Sequence, residues 1–235
     1  MTPAAPLWRP SPNHDARPDG RVVDILVLHY TDMADAAAAL ARLCDRAAKV
    51  SAHYLIGRDG TVFQMVDEGL RAWHAGAACW QGASDINARS IGIELDNPGH
   101  GLGLVPFPAV QMGALVVLAG TVLARHPIPA QNVVGHSDVA PRRKQDPGEL
   151  FDWRGLAAAG IGQWPSVASP QPADPVLAHR LLGAIGYEIV DIGATLAAFQ
   201  RRYRPSAIDG RLDTETMGLI VAVAKLGSAG AGYRA

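Results

Sequence analysis

The run Val22 to Leu28 (VVDILVL) is almost wholly apolar, rich in β-branched residues, and stops at His29. A run of this length and composition reads as a strand covered on both faces. Such a strand needs helices above and below it, and the chain offers them. Ala34 to Lys49, rich in Ala, Leu and Arg, reads as a helix with Asp32 as its N-cap. His53 to Ile56 and Val62 to Val66 read as strands joined by Arg58-Asp59-Gly60, because Asp-Gly tolerates the positive φ of a tight hairpin turn. Ser90 to Leu95 and Asn132 to Gly135 read as two more short strands, and Phe107 to Arg125 as a long apolar helix. Strands interleaved with helices make an α/β layered domain.

After Trp153 the character changes. Gly162 to Pro175 (GQWPSVASPQPADP) carries four prolines among small polar residues and reads as a semi-extended linker. Three helical patterns follow, Val176 to Ile185, Ile192 to Tyr203 and Thr214 to Leu226. Leu181, Leu182, Ile185, Leu196, Phe199, Leu219, Ile220 and Val223 supply a small apolar core for them. The closing GSAGAGYRA reads as a disordered tail.

Composition narrows the function classes. With 235 residues and 49% hydrophobic content, the chain can build one moderate domain and a small one. A formal net charge of −1 creates no general field toward nucleic acid or an anionic membrane. No apolar stretch approaches the roughly 20 residues that span a bilayer. The first residues, MTPAAPLWRPSPNHDARPDG, lack the basic start and apolar core of a signal peptide. Cys44 and Cys79 form no metal-binding pair and read as two free thiols.

Three stretches could together equip one zinc. VLHYT offers His29, VVGHSDV offers His136, and RRKQDPG offers Asp146 just before a Pro-Gly turn. Two imidazoles and one carboxylate leave a fourth tetrahedral position open, which separates a hydrolytic zinc from a structural one. Taken singly, each residue has a simpler reading. A lone His after an apolar strand is usually packed or hydrogen-bonded. Asp146 reads as a turn starter, and Lys144 as a solvated charge in a basic run. Asp138, two residues after His136, reads either as a spare ligand or as a residue that fixes the loop.

Six pieces in order resemble the zinc-dependent N-acetylmuramoyl-L-alanine amidases, the family related to bacteriophage lysozyme-amidases and animal peptidoglycan-recognition proteins. They are SPNHDARP at Ser11, LVLHYT at Leu26, SAHYLIGRDGTVFQMV at Ser51, AWHAG at Ala72, SIGIELDN at Ser90 and GHSDVAPRRKQDPGELFDW at Gly135. The resemblance implies a mixed central β-sheet flanked by helices, with zinc at the strand ends. It makes His29, His136 and Asp146 the zinc ligands, Glu94 the general base and Lys144 the cation beside the metal. Tyr30, His53, Trp73, His74 and Asn87 fall in or beside matched motifs and become the substrate-binding candidates. Gln145 stands where relatives often have Thr, and Arg142-Arg143 makes this loop more basic than usual.

LLGAIGY, AFQRRY and IDGRLDTET resemble a second unit, the three-helix peptidoglycan-binding module of many cell-wall hydrolases. The other reading is a helical cap packed on the first domain. The resemblances divide the chain into a catalytic domain over residues 1–161, a linker over 162–175, a peptidoglycan-binding-like helical domain over 176–228 and a tail over 229–235.

Chemistry supports these roles. Glu94 lies in an apolar strand, IGIEL, where burial raises a carboxyl pKa and suits it to proton exchange; its simpler reading is an ion pair with Arg89. Lys144, two residues from Asp146, is anchored where it can stabilise an oxyanion. The expected activity is zinc-dependent hydrolysis of the amide between N-acetylmuramic acid and L-alanine, in peptidoglycan or soluble muropeptides. The alternatives are a non-catalytic peptidoglycan-recognition protein, which typically lacks a ligand, and a zinc peptidase. The chain reads as a monomer. The missing signal peptide favours the cytoplasm, and the wall-binding resemblance favours the periplasm.

Overall fold

The computed structural model describes residues 5–231. In chain order its strands and α-helices are β1 (Leu7–Trp8), β2 (His14–Ala16), β3 (Ile25–Tyr30), α1 (Ala36–Leu43), β4 (Tyr54–Ile56), β5 (Val62–Gln64), β6 (Leu70–Ala72), β7 (Ser90–Leu95), α2 (Gly99–Leu102), α3 (Ala109–Arg125), β8 (Val133–Gly135), α4 (His136–Val139), α5 (Trp153–Ala158), α6 (Pro175–Ile185), α7 (Ile192–Tyr203) and α8 (Thr214–Ala231). Six strands form one mixed sheet in the order β1-β5-β4-β7-β3-β8, and β2 pairs with β6 beside it. No described helix is long and apolar enough to cross a membrane.

The central strands β4, β7, β3 and β8 run parallel, and β5 returns antiparallel to β4. The β4–β5 turn forms as its residues dictate. Asp59 accepts hydrogen bonds from the Thr61 N–H at 2.9 Å and the Thr61 hydroxyl at 2.9 Å, while Gly60 takes φ 84.

Residues alternate across β3, as a pleated strand requires. Leu26 and Leu28 join the buried cluster under α3, with Ile91, Ile93, Leu115 and Val122. Ile25 and Val27 join the opposite cluster, with Val134, Leu182, Ile185, Phe199, Ile220 and Val223. The C-terminal helices therefore share their core with the sheet. Full burial of one such side chain contributes about 1.5–3 kcal/mol, so this face carries a substantial part of the stability. Leu181 and Leu219, expected in a small separate core, are partly buried against the shared one.

Two expectations change in detail. The helix expected over Ala34 to Lys49 is α1 followed by a short 3-10 turn at Arg46–Ala48. Asp35 is its N-cap, accepting from the Ala38 N–H, and Asp45 starts the second turn by accepting from Ala47. Asp32 instead takes φ 52 and accepts the Gly101 N–H at 2.9 Å. At the other end α8 runs to Ala231, so the tail expected from 229 begins as helix, and residues 232–235 lie outside the described residues.

The proline-rich segment is seated on the fold. Pro165 is buried, the Trp164 ring lies 5.3 Å from that of Tyr203, and the Gln171 N–H donates to the Thr214 carbonyl at 2.9 Å. Cys44 and Cys79 are free, as expected.

Candidate metal centre and active-site cleft

Three backbone segments end at one point. His29 lies near the C-terminal end of β3, His136 opens α4 straight after β8, and Asp146 sits in the following loop. The Ser137 N–H donates to the Asp146 carbonyl at 2.9 Å, which ties that loop to the His136 turn. His29 Nδ1, His136 Nδ1 and Asp146 Oδ2 lie 3.0 Å from one another, all buried.

The hydrogen bonds fix which ring nitrogens carry protons. The Ser90 hydroxyl donates to the Ile86 carbonyl at 2.7 Å, so it accepts from His74 Nε2–H at 3.0 Å. His74 Nδ1 is then an acceptor, and His29 Nε2–H donates to it at 3.0 Å. His136 Nε2–H donates to the Ala75 carbonyl at 3.0 Å. Both ligand candidates thus turn an unprotonated Nδ1 toward the Asp146 carboxylate. Three buried acceptors converging on one point repel each other, and a cation there relieves the repulsion. A tetrahedral zinc sets its ligand atoms about 3.3 Å apart, close to the spacing found, and two His with one Asp is a suitable donor set. The residues fit the metal.

Protonation states agree with that use. Burial, then the neighbouring His136, lowers the His29 pKa to about 4, keeping the ring neutral. Burial pushes the Asp146 carboxyl upward, and it is a proton on the facing His136 and His29 rings, or a cation in its place, that holds it well below the usual carboxylate range. Neutral imidazole and ionised carboxylate are the forms that bind metal.

A cleft of about 400 Å³ opens above this centre, lined by Tyr30, Trp73, His74, Glu94 and Lys144 as well as the donors. Glu94 lies beside His29 in the strand register. Its Oε2 is sealed from solvent without a hydrogen-bond partner among the described residues. Loss of water, then the charge of Asp146, raises the carboxyl well above its ordinary range, against a smaller pull from Lys144. Arg89, the alternative partner for Glu94, pairs with Asp24 instead. Lys144 has no ion-pair partner among the described residues.

The substrate-binding candidates separate into two groups. Tyr30, Trp73 and His74 reach the cleft. The indole N–H of Trp73 has no partner among the described residues, and the Tyr30 hydroxyl meets His100 Nδ1 at 2.8 Å. Desolvation raises the Tyr30 pKa to about 12. His53 and Asn87 lie behind the cleft. His53 Nδ1 accepts the Gly92 N–H at 3.0 Å, and its Nε2–H donates to the Leu70 carbonyl at 3.1 Å. Asn87 Oδ1 accepts the backbone N–H groups of His74 at 3.1 Å and Ala75 at 2.8 Å.

Other residues of the matched stretches support the site from behind. Arg17 donates to the carbonyls of Asn87, Ala88 and Ser90 at 3.1, 2.9 and 2.9 Å. Arg143, noted in sequence only for making its loop basic, donates to the carbonyls of Ala75 at 3.0 Å and Ala77 at 2.6 Å. Asp138 is turned away from the donors. It accepts from the Gly135 N–H at 2.8 Å, the Tyr187 hydroxyl at 2.6 Å and Arg202 at 2.8 Å. Its loop-fixing reading is the one the geometry supports.

Known proteins share this arrangement of chain. AmiD of Escherichia coli, an N-acetylmuramoyl-L-alanine amidase, is 37% identical over 229 residues, covering 86% of this chain and 82% of that protein. The 1,6-anhydro-N-acetylmuramyl-L-alanine amidase AmpD of Enterobacter cloacae is 39% identical over 163 residues, covering 61% of this chain and 84% of that one. The structure of E. coli AmiD in complex with the substrate anhydro-N-acetylmuramic acid-L-Ala-D-γ-Glu-L-Lys superposes with a TM-score of 0.79 at 36% identity, covering 89% of this chain and 92% of that one. Pseudomonas aeruginosa AmpDh3 in complex with anhydromuramic pentapeptide gives a TM-score of 0.76 at 34% identity, with 89% and 94% covered. Residues 19–149 match the family described as N-acetylmuramoyl-L-alanine amidase, Amidase_2, and the chain belongs to that family.

Proposed function

We propose that this protein hydrolyses the amide joining the lactyl group of N-acetylmuramic acid to the L-alanine of a stem peptide, using one zinc held by His29, His136 and Asp146. The observation that carries this reading is the convergence of three buried acceptors beside the unpartnered Glu94 Oε2. Bound zinc supplies Lewis acidity, which makes water a nucleophile near neutral pH and polarises the carbonyl.

The chain's own residues do the rest. Glu94 takes a proton from the attacking water as its oxygen bonds to the carbonyl carbon. It returns that proton to the alanine nitrogen as the C–N bond breaks, leaving a lactyl carboxylic acid and a stem-peptide amine, which at neutral pH become carboxylate and ammonium as the acid proton passes to the amine. A carboxyl raised by burial is suited to both transfers. Lys144 stabilises the charge that develops on the carbonyl oxygen. Trp73 and Tyr30 offer aromatic surface and polar edges to the sugar and peptide, while both ring nitrogens of His74 are already engaged at the cleft floor.

The substrate class follows the relatives whose structures contain anhydromuramyl peptides. We read the helices over residues 176–228 as a peptidoglycan-binding-like unit fused to the catalytic core. All donors and Glu94 are in place, which supports an enzyme over a recognition protein.

The experiment incubates zinc-loaded protein with purified sacculi and, separately, with soluble anhydro-muropeptides, followed by mass spectrometry. Free peptides beginning with L-alanine are expected. Binding of sacculi without cleavage of either substrate would move the reading to a recognition protein.

A further inference from the structure

Two consecutive residues support both imidazoles of the proposed zinc site. The ring of His74 accepts His29 Nε2–H at 3.0 Å, and the carbonyl of Ala75 accepts His136 Nε2–H at 3.0 Å. Both backbone N–H groups of this step point at one atom, Asn87 Oδ1, at 3.1 and 2.8 Å. Asn87 is itself held from behind, since Arg17 donates to its carbonyl at 3.1 Å. The remaining freedom of the step is also removed. Ser90 fixes the far nitrogen of His74 at 3.0 Å, and Arg143 takes the second lone pair of the Ala75 carbonyl at 3.0 Å. A Cβ at Gly92 would lie 2.5 Å from His74 Cγ, so the bare strand backbone leaves room for the ring.

We infer that His74-Ala75 is the ligand-orienting element of this metal centre and that Asn87 is the positioning residue that locks it. A ring nitrogen binds metal only when its proton is on the other nitrogen, and the groups accepting that other proton fix the tautomer and the ring plane. Here a single side-chain oxygen anchors the backbone step that supports both rings. Its reach is also economical: displacing the 74–75 backbone tilts His29 and His136 together, so the two cannot be lost independently. Asn87 therefore contributes to metal affinity without touching metal or substrate. The inference rests on the zinc site proposed above.

The test measures the zinc dissociation constant by chelator competition, with the thermal midpoint of the metal-free protein recorded beside it. Asn87→Leu, which removes the acceptor, is expected to weaken zinc binding by about 10–100-fold, the usual effect of losing such a support. Asn87→Asp, which keeps an oxygen acceptor at the same place, is expected to hold wild-type affinity. A merely structural Asn87 predicts a lower midpoint with unchanged zinc affinity, and that result overturns the inference. Should Asn87→Leu not fold, the wild type still decides. Nitrogen-15 NMR of its metal-free imidazoles is expected to find Nε2–H on both His29 and His136, and a proton on either Nδ1 overturns the inference. Failure of the amidase reading has a separate signature, namely wild-type protein that binds zinc and releases no stem peptide.

Discussion

Arg202 on α7 and Asp138 on α4 form an ion pair at 2.8 Å, with side chains only 4% and 1% exposed, directly below the turn that presents His136. Arg202 also donates to the Val133 carbonyl at 3.1 Å and lies 4.0 Å over the Trp153 ring. The last helices thus grip the strand and turn that carry a proposed ligand.

Removing one partner of a buried pair leaves the other charge uncompensated. Arg202→Met is expected to destabilise the protein by about 3–5 kcal/mol. Urea unfolding at neutral pH measures this, and a loss well below 1 kcal/mol would show that the pair is not desolvated as described.

His29→Ala and Asp146→Ala are each expected to abolish stoichiometric zinc and stem-peptide release together. Metal analysis of the purified variants, alongside mass spectrometry of the products, checks both. A variant that keeps zinc and activity would remove that residue from the ligand set.

Glu94→Gln is expected to keep zinc while lowering turnover by about 10²–10⁴-fold, the usual contribution of a positioned acid–base group. Near-normal turnover would give the proton transfers to another residue.

Acid should weaken the metal-free protein in a defined window. His29 titrates at about 4 and His53 at about 3, both lowered first by burial from an ordinary 6.5. A lowered folded pKa means the unfolded chain binds the proton first, so stability falls as pH drops from about 6.5 through 4. Glu94, raised by burial, works in the opposite sense, because its protonated form is favoured in the fold. With His74 also lowered by burial, the imidazoles outnumber it. Denaturation of metal-free protein across pH 4 to 7 checks the direction, and flat stability would contradict the buried neutral rings.

Much of the fold was legible because its signals are local. Ser90 to Leu95 forms the expected strand, Ile192 to Tyr203 the expected helix, and Asp59-Gly60 the expected turn. The start of α1 was not, because Asp32 and Asp35 both compete as its cap and only packing decides between them. Motif order picked out His29, His136, Asp146 and Glu94, which the fold brings to one cleft. Asn87 and His53 could not be separated from the cleft residues, because a motif does not say which way a side chain points. Nothing in AFQRRY marks Arg202 as buried, and its burial depends on an Asp 64 residues earlier. Arg17 likewise finds its carbonyl partners 51 to 73 residues away.

The same separation has a consequence during synthesis. Asp138 leaves the ribosome 64 residues ahead of the arginine that neutralises it. At about 5–20 residues per second, that interval lasts on the order of 3 to 13 seconds. For that time the turn beneath His136 carries an unmatched carboxylate at a place the finished protein keeps dry. The nascent chain leaves this corner open to water over that interval, so the proposed metal centre is completed only after most of the polypeptide has been made.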